Sequence, residues 1–233
     1  MKVALSGDGA DELFMGYGWY QKYWHTPLYK RIFINHYSSY KKVIEVFSHK
    51  ERQNLLKKGT IENDKYDQEL LSQCTNVFDK INLYDLNIYL PGQLLVKVDR
   101  TSMMNSLEVR CPFLDTALVE FVYNLPIKYK LNKKNNKIIL KDILSEIMPK
   151  EFVERRKQGF GAPLMDWLKE EKTKNEFDKI IKNENHPIYN YFNKKAVCDI
   201  FIKSDFHDKH SVQKVWSLLC ICLWFELHQK NHE

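Results

Sequence analysis

Val3-Ala4-Leu5-Ser6-Gly7-Asp8-Gly9-Ala10-Asp11-Glu12 decides how this chain is read, because a short apolar strand meets a helix there through two glycines and three carboxylates. Gly7 and Gly9 allow a positive φ or the close approach of a ligand to bare backbone. Asp8 suits the N-cap, and Asp11 and Glu12 fall in the first helical turn. Ligands of α/β sheets collect at strand ends of this kind. A helix N-terminus attracts phosphate, yet three acids repel a naked anion, so a nucleotide bound here has to arrive with a divalent cation. The stretch points to a magnesium-nucleotide site. It reads equally as an acidic, well-capped helix start after a tight turn, and the residues alone leave both readings open.

Outward from this stretch the pattern is mostly helical. Leu13, Phe14, Tyr17 and Tyr20 form an apolar stripe near 3.6 periodicity, weakened by Gly16 and Gly18, and predict one helix after Asp11. Further helices are expected over 37–47, 50–57 and 68–90, the last closed by Pro91-Gly92, and over 93–106. Residues 108–115 read as irregular, with Asp115 capping a helix over 116–123 that stops before Pro126. Ile138, Ile139, Ile143, Leu144, Ile147 and Met148 predict an amphipathic core helix ended by Pro149. Residues 155–163 place three consecutive cations ahead of two glycines and a proline and read as a loop, in which Lys157 can meet a phosphate as a point charge. A solvated basic turn explains that loop too. Residues 170–185 read as a solvated helix or insertion. No linker or internal repeat appears, so residues 1–233 are treated as a single domain.

Composition narrows the class. A hydrophobic content of 44% over 233 residues supports a real core. The net charge of +6 is not gathered into a basic block interleaved with stacking aromatics, so a nucleic-acid partner is not expected. The five cysteines form no CxxC pair and read as reduced core thiols, which points to the cytoplasm. The histidines lack zinc-ligand spacing. The longest apolar run, 215–225, is too short to cross a membrane and reads as a buried helix.

Three blocks then form one pattern: SGDGADELF over 6–14, LPGQLLVKVDRTSMMNSLEVRCPFLD over 90–115 and RRKQGFGAPLMDWL over 155–168. Together they closely resemble the synthetase domain of glutamine-hydrolysing asparagine synthetases, and 215–227 looks like that family's closing helix. The resemblance implies a mainly α-helical chain, the C-terminal part of an α/β, adenine nucleotide α-hydrolase-like (Rossmann-like) synthetase domain with few strands. It implies an ATP- and Mg2+-dependent amide ligase that turns aspartate into asparagine through a β-aspartyl-adenylate, using ammonia released from glutamine. Position by position, Ser6 and Gly7 match ATP contacts, Asp8 an acidic position linked to adenylate formation, and Asp11 a magnesium ligand. Glu108 matches an acid lining the site, holding a cation or taking a proton from ammonia. Lys157 matches the cation that meets the phosphates. Such charges are needed because a carboxylate attacking an α-phosphate brings like charges together.

The chain also departs from the pattern. The family's N-terminal glutaminase domain and its Ser-Gly-Gly-x-Asp-Ser pyrophosphate loop are absent from this sequence, and Met15 stands where a glycine is usual. The expectation is therefore a partial domain, inactive until that segment is supplied in cis or in trans, with the Val3-Ala4-Leu5 strand open on both edges. A homodimer is left open. The alternatives are a related amidotransferase acting on another carboxylate, or a non-catalytic partner subunit or remnant.

Overall fold

A computed structural model describes residues 2–27, 36–57, 72, 74, 76–155 and 162–229. The chain is mainly helical, as expected, with few strands. Read above as one domain, it divides into two compact units, Met1–Val43 with Asn63–Lys157, and Ile44–Glu62 with Gln158–Glu233. The division follows the apolar side chains, which gather in separate clusters.

In the first unit, β1 (Val3–Leu5) pairs in parallel with β2 (Glu108–Arg110), in the register Val3 to Glu108, Ala4 to Val109 and Leu5 to Arg110. Two expectations are corrected here. Residues 108–110 are not irregular, and one edge of β1 is covered. Three residues flanked by turns carry too little periodicity to announce a strand, and it is the pairing that fixes them as one. Ala4 and Val109 face inward while Val3, Leu5, Glu108 and Arg110 lie on the exposed face.

The single helix expected after Asp11 is instead two, Ala10–Leu13 and Gly18–His25. Met15 breaks it with a φ of 54°, in the left-handed region where glycine costs least. The stripe is nevertheless buried: Leu13 and Phe14 join Val122 in a cluster that also receives Leu86, Phe113 and Ile139. Pro91-Gly92 closes nothing. Helix Val77–Tyr84 continues through a π-helical stretch, Asp85–Leu95, into helix Val96–Met103, and the joints at Tyr84, Asp85, Leu95 and Val96 all keep helical dihedrals. Proline ends an α-helix because its ring meets the carbonyl four residues back and it donates no hydrogen bond; the wider π turn moves that carbonyl aside.

At the start of the π stretch, Asp85 is fully buried and accepts hydrogen bonds from Tyr20 Oη at 2.6 Å, Trp19 Nε1 at 3.2 Å and Tyr40 Oη. Desolvation dominates over these donors and lifts its carboxyl to about 6. Helix Thr116–Asn124 starts as expected, with Asp115 accepting from the amides of Ala117 and Leu118. Helix Ile138–Ser145 is less of a core helix than its pattern implies. Ile139 and Leu140 pack inward, but Ile143, Ile147 and Met148 stay exposed.

The second unit surrounds helix Lys209–Gln229, whose Val212, Val215, Leu218, Leu219 and Cys222 form one buried face. Trp224 and Leu227 remain exposed, so the apolar run over 215–225 is a one-sided helix rather than a wholly buried one. Helix Glu171–Lys182 is also one-sided, with Phe177 and Ile180 in the core and lysines outside. Helix His49–Leu55 opens with a capping box between Ser48 and Glu51, and Lys214 of the long helix pairs with Glu51. His186 is a satisfied core histidine: Nδ1 accepts from the Ile188 amide at 3.2 Å and Nε2 lies 3.0 Å from Glu226 Oε1. All five cysteines are free thiols, but Cys222 alone is buried and Cys220 is exposed, which corrects the expectation of core positions for all. Among the described residues no helix is long and apolar enough to cross a membrane.

Candidate functional site

The site is built on the turn that leaves β1. The Ser6 amide extends the ladder by donating to the Arg110 carbonyl at 2.8 Å, which pins the start of the turn to β2. Ser6 Oγ then donates to Asp8 Oδ2 and accepts from the Asp8 amide at 3.2 Å. Asp8 is thus engaged with Ser6 and does not cap the helix. The N-cap is Gly9, with a φ of 92° and no side-chain bond.

The two glycines divide the work expected of them. A Cβ on Gly9 would lie 2.3 Å from Leu114 Cδ2, so this residue serves both its positive φ and tight packing. A Cβ on Gly7 would meet nothing within 4 Å, and its backbone faces open space. That opening is where a ligand can reach the turn. The helix that follows has four residues, Ala10–Leu13, too few to add a useful dipole, which removes that part of the anion argument.

The three acids do not act alike. Glu12 is buried and accepts from Tyr17 Oη, and desolvation raises its carboxyl pKa. It belongs to the core, not to the acidic rim expected of it. Asp11 lies partly buried, with Oδ1 2.9 Å from Lys137 Nζ. Glu108 begins β2 opposite Val3, at the other end of the ladder from Ser6, and its carboxylate accepts from Arg110 Nε at 2.7 Å. Ser6, Gly7 and Asp8 therefore share one turn, with Asp11 on the helix that follows it, while Glu108 stands apart with its own cation. Lys157 lies outside the described residues.

Nothing in the sequence singles out Lys137. It caps helix Ile138–Ser145 from a left-handed φ of 52°, and its amide donates to the Phe14 carbonyl at 3.2 Å. No local signal pairs it with Asp11; the tertiary fold does. As for a metal, among the described residues no three His, Cys, Asp or Glu side chains converge as a ligand set. Asp8, on the turn with the bare Gly7 backbone, and Asp11, on the helix after it, offer the hard carboxylate oxygens that magnesium takes when it brings most of its ligands with a phosphate group.

A strand-end turn on a mainly helical chain is consistent with a piece of a synthetase domain, and the chain belongs to the asparagine synthase family. A family model described as "Asparagine synthase" matches residues 1–229. The chain is 28% identical over 262 residues to asparagine synthetase [glutamine-hydrolyzing] 1 of Bacillus subtilis (strain 168), covering 97% of this chain and 40% of that protein. Identity reaches 34% with asparagine synthetase [glutamine-hydrolyzing] 3 of the same organism, over 72% of this chain and 29% of the relative. A putative asparagine synthetase [glutamine-hydrolyzing] of Mycobacterium tuberculosis (strain ATCC 25618 / H37Rv) is 30% identical over 72% of this chain and 31% of its own. The chain therefore spans less than half the length of these relatives. Their family is the one expected from the three sequence blocks.

Proposed function

We propose that this chain carries part of the active site of an ATP-dependent ligase that activates aspartate as a β-aspartyl-adenylate and releases pyrophosphate, for attack by glutamine-derived ammonia. The observation that supports it most is the open backbone at Gly7 on the turn where β1 ends, next to an Asp8 carboxylate held by Ser6. In this reading Ser6 and Gly7 meet the nucleotide phosphates, with no Cβ to hold them off. Asp8, braced by Ser6, orients the reacting groups during adenylate formation. Asp11 helps hold magnesium, which when bound neutralises phosphate charge. Lys157 meets the pyrophosphate as negative charge builds on it; removing one such preorganised charge costs roughly 10²–10³ in rate. Of the roles expected of Glu108, holding a cation is the one its bond to Arg110 supports, and it does so apart from the turn.

Alone, this chain binds ATP weakly, and turnover requires the pyrophosphate-loop and glutaminase segments in cis or in trans. ATP-pyrophosphate exchange with aspartate tests the reading. Exchange is expected when the purified chain is combined with the N-terminal segment of a family member and is expected to be minimal without it. Robust exchange by the chain alone removes the need for a missing segment. No exchange in the combination, in a folded complex, removes the ligase reading.

A further inference from the structure

We propose that Lys137 is a positioning residue for Asp11, fixing the carboxylate that the preceding proposal gives to magnesium; the inference rests on that reading and adds a residue to it. Four observations meet at this contact. Lys137 Nζ lies 2.9 Å from Asp11 Oδ1, and both side chains are about three-quarters buried, at 26% and 24% exposure. Gly16 lies directly against the pair: a Cβ there would be 2.0 Å from Asp11 Oδ1 and 2.2 Å from Lys137 Cε, so the pairing exists because this residue has no side chain. The lysine's own segment is tied to the turn, its amide to the Phe14 carbonyl at 3.2 Å and Asn136 Nδ2 to the Gly16 carbonyl at 2.7 Å. Lys141 Nζ in turn donates to Asn136 Oδ1 at 3.1 Å.

Two non-glycine residues, Met15 and Lys137, adopt a positive φ on either side of this junction. Such backbone is retained where surrounding contacts over-determine it, and here the contacts all serve to bring one ammonium to one carboxylate. An ammonium held by its backbone orients a ligand more firmly than a free surface lysine does. Its charge also favours an anionic metal-nucleotide complex, so orientation and charge act in the same direction.

The test follows the amide resonances of Gly7 and Gly9 in the full chain as Mg·ATP is added, a method that reads millimolar binding. Lys137→Met is expected to weaken Mg·ATP by about tenfold, as outer partners of metal ligands do, and Lys137→Arg to stay within about threefold of the parent. Lys137→Gln serves as a second uncharged variant should the methionine chain fail to fold. Unchanged affinity in a folded uncharged variant overturns the inference, and a lowered Tm with unchanged affinity does so too, marking the lysine as a structural tie. Asp11→Asn separates the two levels. If it leaves Mg·ATP binding unaltered, the metal role of Asp11 fails; if it weakens binding while the Lys137 variants do not, the positioning role alone is lost. A parent chain with no response at all overturns both.

Discussion

Replacing Asp85 by asparagine should change how the stability of this protein depends on pH, by an amount that the structure sets. Asp85 is fully buried, and its carboxyl titrates at about 6 instead of 3.8. The folded state therefore keeps a proton that the unfolded chain releases as pH rises above 3.8. Below that value both states are protonated and the group is neutral in the balance. Above it the unfolded chain gains by ionising, and above pH 6 the full penalty applies, about 3 kcal/mol at roughly 1.4 kcal/mol per pH unit of separation. Asparagine never ionises and carries no such penalty. Relative to the asparagine variant, the parent should thus gain about 2 kcal/mol of stability between pH 7 and pH 4, most of the titration being complete there. Urea unfolding of both proteins across this range, followed by tryptophan emission to which Trp19 in the Asp85 cluster contributes, measures the difference directly. Other carboxylates titrate in both proteins and cancel. A difference independent of pH, or a parent that gains stability over the variant as pH rises, refutes the argument that burial outweighs the three donors.

The glycines of the turn should separate structure from binding. Gly9→Ala places a Cβ against Leu114 in a left-handed conformation and should cost about 1–3 kcal/mol in thermal or urea unfolding, while Gly7→Ala should leave Tm nearly unchanged and weaken nucleotide binding. The opposite order would show that Gly7 is the structural one. In the second unit, Leu218→Ala opens a cavity in a fully buried face and should cost about 2–5 kcal/mol, read by urea unfolding. Glu51→Gln removes the carboxylate shared by the capping box and Lys214. Because those partners hold the Glu51 carboxyl down at about 2, its contribution is complete above 4.5 and fades as pH falls toward 2, so the parent's advantage over the variant should shrink in acid. A constant advantage down to pH 2 counts against the pairing.

The exposed face of β1 and β2 bears on the proposed partner segment. Val3 and Leu5 are exposed there, at 42% and 75%, on a strand paired on one side by β2. Apolar side chains on an exposed sheet face are costly to leave in water and favour a covering layer. A chain that completes the site is expected to bury them.

How much was legible depended on the range of the interaction. The strand-glycine-acid junction, the Asp115 cap and the existence of the C-terminal helix could be read from neighbouring residues, because strand ends, caps and helical runs are decided by groups a few positions apart. So could the family, from motifs that lie in continuous stretches. Tertiary structure alone decided that residues 108–110 are a strand, that a π turn carries the helix past Pro91, that Glu12 is a core acid, and that Lys137 lies beside Asp11. Each of these depends on residues far apart in the chain, whose meeting is set by packing and by the satisfaction of buried polar groups, and no local pattern encodes that meeting.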